Sequence, residues 1–330
     1  YMYLLLSPTN NYDMSISELY TLYKQHPVIT TDSRACPPGS IFFALKGESF
    51  DGNAYAEKAL QEGCAYAIID APSAQTGERT ILVNNVLETL QQLATLHRKT
   101  LGTPVIGITG TNGKTTTKEL LSAVLSQKYN TLYTLGNLNN HIGVPLTLLR
   151  LTEEHDIAVI EMGANHPGEI RELVNIAQPD YGIVTNVGRA HLEGFGSLEG
   201  VIKTKGELYE YIRETNGRIF INQDNTYLTK IAGGIKQVTY GKMVPPDGQS
   251  DKSHPDVGGR VLNRIPYLSL QWQQQNEVVH TIETHLIGDY NIWNILAAIV
   301  TGLYFRIPPE QIDKAIAGYE PNNNRSQLKK

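Results

Sequence analysis

Hydrophobic and polar positions follow two periods along this chain, and their order predicts an α/β fold. Short apolar runs typical of buried strands occur at 105–109, 131–134, 157–161, 181–186, 218–221 and 237–240. Segments with helical spacing occur at 114–127, 140–150, 167–177, 197–213 and 290–304. This alternation is typical of a mostly parallel sheet wrapped by helices.

The region before residue 100 predicts a smaller α/β domain of its own. SISE, Ser15 to Glu18, has the spacing of a capping box and opens a helix over 15–26. Strands are predicted at 41–45 and 65–69, and helices at 54–62 and 86–100. Glycine and proline at 102–104 then indicate a boundary between domains at 14–100 and 101–319.

The end of the second region has a different pattern. Residues 242–260 are rich in Pro, Gly, Asp and Ser, which predicts an excursion loop. LSLQWQQQ and VVHTIETHLI alternate with period two and predict antiparallel strands. At the other end we expect Met14 to be the natural start, with residues 1–13 an upstream extension.

Composition narrows the class of protein. Hydrophobic residues make up 41%, charged residues 18%, and the net charge is −5, which favours neither a nucleic-acid nor an acidic-membrane partner. Cys36 and Cys64 lack metal-ligand spacing, as expected in a reducing compartment. No apolar run reaches the ~20 residues of a membrane span. We expect a cytoplasmic monomer.

The segment GITGTNGKTTTKELL predicts a phosphate-binding loop between a strand and a helix. Gly110 and Gly113 let backbone N–H groups approach phosphate oxygens, and the helix N-terminus adds partial positive charge. Lys114 can reach the β and γ phosphates, and the Thr115 hydroxyl can bind Mg²⁺. The common pattern would have glycine where Ile108 stands, so this is a variant loop.

The loop GTNGKT followed by TTKELL resembles the Mur ligase family of ATP-dependent amide-forming enzymes. TTDSRACPPGSIFFALKGESFDGNAYAEKAL (Thr30–Leu60) looks like the N-terminal UDP-binding domain of that family's later members. Three segments resemble the member that joins D-alanyl-D-alanine to a UDP-N-acetylmuramoyl-tripeptide: Thr134–Leu149, Glu161–Ile170 and Thr185–Tyr209. The resemblance runs from about Met14 to Leu328.

The resemblance implies a two-step reaction in peptidoglycan precursor synthesis. ATP phosphorylates the terminal carboxylate of the tripeptide, and the amine of D-alanyl-D-alanine then displaces phosphate from the acyl phosphate. The family has a third, Rossmann-like domain, which we expect to be absent from this chain, with 320–330 as the start of the hinge towards it. We therefore expect this chain alone to be inactive.

The resemblance also implies the ATP and metal residues. The ATP site is expected to comprise Gly110, Thr111, Asn112, Gly113, Lys114, Thr115, Thr116, Asn291, Asn294 and Arg325. Two Mg²⁺ ions are expected on Thr115, Glu161, His191 and Lys205, with Lys205 carrying a carbamate formed with CO₂. Catalytic roles are expected for Lys114, Lys205 and His191.

Each of these residues has a plainer interpretation. Glu161 could be a solvated strand-end carboxylate, and His191 could be structural. Lys205 could be a helix-surface lysine, with Lys203 a rival for its role. The asparagines could be helix caps, with Tyr290 standing where the family has histidine, and Arg325 could be a solvated arginine on a frayed tail.

The UDP-linked substrate is expected on further positions implied by the resemblance. Its diphosphate and uridine are expected on Thr31, Asp32, Ser33, Arg34, Lys46, Gly47, Asp51 and Gly52. Its sugar and peptide are expected to face Asn137, Asn139 and Asn140, although asparagine-rich turns are also common as turns alone.

Other functions stay open from the sequence. One is a sister ligase, either the enzyme that adds the third amino acid or folylpolyglutamate synthase. The folate enzyme lacks a domain like Thr30–Leu60, and the third-residue enzyme has a threonine-rich stretch where this chain has GNLNNHIGVPL. Another is a nucleotide-binding switch or scaffold that forms no amide bond, and a third is a catalytically silent ligase fold.

Overall fold

The computed structural model describes residues 14–188, 197–243, 254–275 and 277–321, and the chain divides into two compact units. The first unit extends to Thr100 and includes Leu148–Arg150, and the second comprises Leu101–Thr147 and resumes at Leu151. None of the described helices combines the length and apolar character that a membrane crossing requires.

The first unit is a small parallel sheet with three helices. Its strands are β1 (Ile29–Thr30), β2 (Ile41–Phe43), β3 (Tyr66–Ile69) and β4 (Thr80–Leu82), paired in that order and all parallel. Its helices are α1 (Ile16–Gln25), α2 (Ala56–Gln61) and α3 (Val86–Leu101), with short 3-10 turns at Gly52–Tyr55 and Pro72–Ala74. The predicted capping box of α1 is confirmed, because Ser15 and Glu18 cap each other's backbone.

The second unit contains a nine-stranded sheet. Its strands are β5 (Val105–Thr109), β6 (Thr131–Tyr133), β7 (Ile157–Glu161), β8 (Tyr181–Val184), β9 (Arg218–Asn222), β10 (Lys236–Lys242), β11 (Val257–Asn263), β12 (Ser269–Gln274) and β13 (His280–Glu283). The spatial order is β13-β12-β11-β10-β9-β8-β5-β7-β6. Strands β5 to β11 pair in parallel with their neighbours, and β12 and β13 add an antiparallel edge.

Helices cover this sheet in two groups. They are α4 (Lys114–Leu125), α5 (Gly143–Leu148), α6 (Glu169–Ala177), α7 (Leu198–Glu214), α8 (Thr226–Ile231), α9 (Asn291–Tyr304) and α10 (Pro309–Ala317). Helices α4, α9 and α10 pack together, as do α6, α7 and α8. Every residue of β5 and β7 is buried, as expected for parallel strands covered on both faces. The mostly parallel sheet wrapped by helices is therefore confirmed.

Helix α9 forms the centre of the larger core. Its sequence, NIWNILAAIVTGLY, is apolar on nearly all sides, which is typical of a helix buried around its circumference. It packs against α4 and against β9, β10 and β11. Helix α9 therefore joins α4 to the half of the sheet formed by β9, β10 and β11.

The prediction of an excursion loop over 242–260 is wrong at both ends. Lys242 closes β10, and β11 begins at Val257 and pairs parallel to β10. A Cβ on Gly259 would lie 2.6 Å from Leu296 Cδ2, so this glycine allows α9 to approach the strand closely and does not mark a turn. The two antiparallel strands predicted after this region are confirmed as β12 and β13.

Four short elements were not predicted. They are β1, β4, α8 and α10. Two or three strand residues are too few to display a period, and the two helices span six and nine residues. Sheet pairing and packing fix these elements, because local pattern is weak at such lengths.

Packing of α9 predicts a stability difference between two valines. Val300 is 2% exposed in this core, whereas Val278 is 73% exposed. Val300→Ala should lower the free energy of unfolding by about 2 kcal/mol, because it removes buried methyl groups and leaves a cavity. Val278→Ala is the matched control and should change it by less than about 0.5 kcal/mol in urea unfolding. Equal effects of the two substitutions would contradict the assigned core.

Candidate functional site

Polar groups gather at one edge of the large sheet, where four neighbouring parallel strands end. Gly110 follows β5, Glu161 ends β7, Thr134 follows β6 and Thr185 follows β8. These strands are adjacent in the order β8-β5-β7-β6, so their carboxyl ends meet. Ligands of open α/β sheets bind at this edge.

Two glycines of the predicted phosphate loop are required by their surroundings. Gly110 has φ +144° and Gly113 has φ +81°, both in the region that favours glycine. A Cβ would lie 2.0 Å from Thr185 Oγ1 at Gly110 and 2.5 Å from Asn294 Oδ1 at Gly113. The loop is therefore held tightly between the end of β8 and the start of α9.

The segment after β8 supports the loop through hydrogen bonds. Thr185 Oγ1 donates to the Asn112 carbonyl at 2.6 Å. Asn186 Nδ2 donates to the same carbonyl at 3.0 Å, and its Oδ1 accepts from Asn112 N at 3.0 Å. Gly188 N donates to Thr111 Oγ1 at 3.0 Å. Thr185 and Asn186 were not predicted as site residues, and this contact between distant segments is visible only in the fold.

Lys114 and Thr115 begin helix α4 with their polar atoms at the loop. Lys114 Nζ donates to the carbonyls of Gly110 at 2.9 Å and Thr111 at 3.2 Å. Thr115 Oγ1 donates to Glu161 Oε1 at 3.3 Å. Thr116 is buried in the first turn. The structure thus brings the predicted loop residues and the predicted metal carboxylate together.

The Glu161 carboxylate is buried, with 1% of the residue exposed, so it is not a solvated strand end. Its backbone N donates to Thr134 Oγ1 at 2.9 Å, which fixes the end of β7. Oε1 accepts from Thr115 and from Asn139 Nδ2, the latter at 2.9 Å. Oε2 accepts no hydrogen bond from the part of the chain that the structure describes, although Lys118 Nζ lies 3.9 Å away. A buried carboxylate oxygen without a donor fits a hard cation.

Among the described residues, no group of three or more His, Cys, Asp or Glu side chains could hold a metal ion. Magnesium commonly keeps several waters and binds through one or two carboxylates and the substrate phosphates. Thr115 and Glu161 match that sparse protein contribution.

Lys205 lies on helix α7 and is 2% exposed. Its Nζ donates to the Ala164 carbonyl at 3.2 Å. Burial and the nearby charge of Lys114 lower the pKa of Lys205 to about 8, against the opposing carboxylates of Glu169 and Glu207. Lys205 is therefore not the helix-surface lysine of the plainer interpretation.

Asn291 and Asn294 are buried at the first turn of α9. Asn294 Oδ1 accepts from Thr117 Oγ1 at 3.1 Å, and its Nδ2 donates to Asn291 Oδ1 at 2.9 Å. Asn291 Nδ2 donates to the Ile287 carbonyl at 2.8 Å. These bonds fasten α9 to α4 beside the loop, and the predicted adenine contact stays a prediction.

The three predicted sugar-facing asparagines have different surroundings. Asn139 bonds to Glu161, as described above. Asn140 Oδ1 accepts from the backbone N of Ile142 and Gly143, which caps α5. Asn137 is exposed. Predicted site residues His191 and Arg325 lie outside the described residues.

The first unit has its own polar cluster at the carboxyl ends of β2 and β3. Lys46 Nζ lies 2.8 Å from Asp70 Oδ1. Asn53 Nδ2 donates to Asp51 Oδ1 at 2.7 Å and to Asp70 Oδ1 at 2.8 Å. Burial works to raise the pKa of Asp70, but Lys46, Asn53 and a backbone bond outweigh it and hold the pKa below its usual value. Asn53 and Asp70 were not predicted, whereas Lys46 and Asp51 were.

The predicted segment Thr31–Arg34 follows β1 at the same end of its sheet. The Arg34 guanidinium donates two hydrogen bonds to the Asp32 carboxylate, from Nε to Oδ1 at 2.9 Å and from Nη2 to Oδ2 at 2.8 Å. Side-chain and backbone hydrogen bonds from Arg34 lower the pKa of Asp32 to about 2. Gly47 and Gly52 shape the next turn, because Gly52 N bonds to Leu45 O at 2.9 Å. The structure brings these residues to one edge and leaves their ligand role a prediction.

The loop geometry predicts that two glycine substitutions differ strongly in their effect on ADP binding. Gly113→Ala should abolish Mg·ADP binding, because it combines strain at positive φ with a close contact to Asn294. Gly102 also has a positive φ, +67°, but no described atom lies within 4 Å of the position that a Cβ would take. Gly102→Ala therefore introduces the backbone strain without a close contact. It should lower the free energy of unfolding by about 1 kcal/mol and leave ADP affinity unchanged. Calorimetric ADP affinities and urea unfolding test this, and normal affinity in Gly113→Ala would contradict it.

Comparison with known protein families agrees with this geometry. The Mur ligase middle domain matches residues 108–302, and the domain described as "Mur ligase family, catalytic domain" matches residues 27–98. The crystal structure of MurF from Acinetobacter baumannii superposes with a TM-score of 0.79 at 32% identity, covering 89% of this chain and 63% of that one. MurF from Thermotoga maritima in complex with ADP gives 0.78 at 27% identity, with 92% and 68% covered.

Two curated relatives share one enzyme name. UDP-N-acetylmuramoyl-tripeptide–D-alanyl-D-alanine ligase of Bacillus subtilis is 37% identical over 91% of this chain, and that of Haemophilus influenzae is 36% identical over 91%. This chain spans 63% of the length of each. With the matched middle domain and the loop, carboxylate and lysine of the second unit in place, the chain belongs to the Mur ligase family.

Proposed function

We propose that this chain supplies the nucleotide and UDP-substrate units of an ATP-dependent ligase that adds D-alanyl-D-alanine to UDP-N-acetylmuramoyl-tripeptide. The observation that carries the proposal is the phosphate loop packed against the buried Glu161. The two relatives that bear this name are 37% and 36% identical to this chain over 91% of its length, and this level of identity favours the D-alanyl-D-alanine enzyme over its sister ligases. A mere nucleotide switch has no need of the first unit.

The reaction forms one amide bond and splits one phosphoanhydride. A carboxylate oxygen of the tripeptide takes the γ-phosphoryl group, and ADP leaves. The amine nitrogen of D-alanyl-D-alanine then bonds to the acyl carbon, loses a proton, and expels phosphate. Lys114 and the N-terminus of α4 serve this chemistry by holding phosphate oxygens as negative charge builds up on the β–γ bridging oxygen of the departing ADP.

Magnesium would be held by the Thr115 hydroxyl and the Glu161 carboxylate. When bound, the ion neutralises phosphate charge and makes transfer of the phosphoryl group easier. Burial and hydrogen bonds would orient Glu161 for the ion. Asn139 holds its Oε1, and Thr134 accepts from its backbone N–H. His191 is proposed as a further ligand.

Lys205 is proposed to carry a carbamate that contributes to a second Mg²⁺ site. Its ammonium is buried and donates to the Ala164 carbonyl. Carbamate formation adds CO₂ to the neutral amine with release of a proton, so a site that disfavours the ammonium favours the reaction. The positive charge of Lys114 would stabilise the resulting anion.

The first unit is proposed to bind the UDP part of the substrate at the carboxyl edge of β1 to β3. Arg34 and Lys46 supply positive charge for a diphosphate. Both now contact carboxylates, Asp32 and Asp70, so a diphosphate would exchange one anionic partner for another. The protein is also proposed to be a cytoplasmic monomer, and its two cysteines are free thiols.

The proposal is tested first on the chain itself and then on a protein extended to the full length of its relatives. Calorimetry should show binding of Mg·ADP and of UDP-N-acetylmuramoyl-tripeptide to the chain. The extended protein should release phosphate only when ATP, Mg²⁺, the UDP-linked tripeptide and D-alanyl-D-alanine are all present. Release that does not depend on the tripeptide would support a switch and overturn the ligase.

In the same assay Lys114→Ala should lower phosphate release by at least about a hundredfold, because it removes a charged phosphate contact. The circular dichroism spectrum should not change, since this lysine is not a core residue. Lys230→Ala, on the exposed face of α8, is the control and should retain normal release. Near-normal turnover in Lys114→Ala would overturn its phosphate role.

The carbamate is tested without turnover by ¹³C NMR in ¹³C-bicarbonate. Wild-type protein should give a carbamate resonance that Lys205→Met lacks, because only a buried amine of this kind is expected to react. Lys203 is exposed on the same helix, so Lys203→Met is the matched control and should keep the resonance. Loss of the signal in Lys203→Met instead would assign the carbamate to the rival lysine.

A further inference from the structure

Lys118 is a buried lysine that none of the roles described above uses. It lies one helical turn after Lys114 on α4, and only 1% of the residue is exposed. Its Nζ is 3.9 Å from Glu161 Oε2 and 3.9 Å from Glu119 Oε1. It is thus a buried cation between two carboxylates, one of which belongs to the site.

The distance to Glu161 indicates the kind of interaction. A buried carboxylate without a nearby cation is strongly destabilising, so the ammonium compensates the Glu161 charge. At 3.9 Å the pair attracts electrostatically but is too long for a hydrogen bond. Oε2 therefore keeps its lone pairs available while its charge is balanced.

The second carboxylate explains how the lysine stays in place. Glu119 Oε2 accepts a hydrogen bond from the Tyr319 hydroxyl, just after α10. The Glu119 side chain is thereby held beside Lys118. If Glu161 turns to another cation, Lys118 still has an anionic partner and need not leave the core.

We propose that Lys118 is a positioning residue that balances the Glu161 charge in the nucleotide-free protein and competes with Mg²⁺ for Oε2. It thereby sets the Mg²⁺ concentration at which nucleotide binds. The competition follows from like charge: a divalent ion on Oε2 would lie close to the ammonium, and the repulsion weakens its binding. This part rests on the proposed nucleotide function, whereas the pairing of Lys118 with Glu161 does not.

The pairing is tested by urea unfolding without metal or nucleotide. Lys118→Met, Glu161→Gln and the double variant are compared with wild type, since Met keeps the length of the lysine stem. Each single substitution should lower the unfolding midpoint, and the double variant should fall no further than the worse single variant. Additive losses would show that the two charges do not interact and would overturn the pairing.

The competition is tested by titrating Mg²⁺ at fixed fluorescent ADP. Lys118→Met should lower the Mg²⁺ midpoint on the order of tenfold, because the competing charge is gone. Lys118→Arg keeps the charge and should stay within about twofold of wild type. Glu119→Gln removes a carboxylate at the same distance from Lys118 but outside the site, and it should not lower the midpoint.

A purely structural role for Lys118 would lower stability in Lys118→Met but leave the Mg²⁺ midpoint unchanged, and that result would overturn the competition. A midpoint that rises would do the same. Wild-type protein that binds no ADP at any Mg²⁺ concentration would overturn the proposed nucleotide site, and the unfolding comparison would still decide the pairing.

Discussion

The burial of the Glu161 carboxylate is the constraint on which the predicted phosphate loop and the strand ends around it depend. An anion inside the protein requires hydrogen bonds and positive charge from its neighbours. Asn139 and Thr115 supply the bonds to one oxygen, and Lys118 supplies the charge near the other. The turn after β6, the start of α4 and the end of β7 are therefore held together at one place.

The same edge of the sheet is tightly packed elsewhere. Gly110 and Gly113 leave no space for a side chain, since Thr185 and Asn294 occupy the positions where one would begin. Asn186 fixes the loop backbone from the end of β8. A loop fastened from two sides is already ordered, which would lower the entropic cost of binding a phosphate.

Much of the fold could be predicted because it is local. The continuous apolar runs of β5 and β7 predicted buried strands, the helical spacing over 290–304 predicted α9, and the predicted capping box of α1 is present. The failure at β11 has a physical cause, since Gly258 and Gly259 resemble a turn in sequence but serve close packing against Met243 and Leu296. The short β1 and β4 owe their existence to parallel pairing, which no local pattern encodes.

For the site, the sequence by itself determined which residues could carry the chemistry: the glycine loop, Lys114, Thr115, Glu161 and the choice between Lys203 and Lys205. Strand and helix periods with side-chain chemistry indicated the glycine loop, Lys114 and Thr115, whereas the resemblance to the Mur ligase family supplied Glu161 and the choice between Lys203 and Lys205. Only the tertiary structure decided which of them are buried and paired. The packing of the helices leaves Lys203 exposed and buries Lys205 and Lys118. The order of the strands brings Thr134, Glu161 and Thr185 to one edge of the sheet. Desolvation and charge pairing arise between residues far apart in the chain, so sequence spacing cannot specify them.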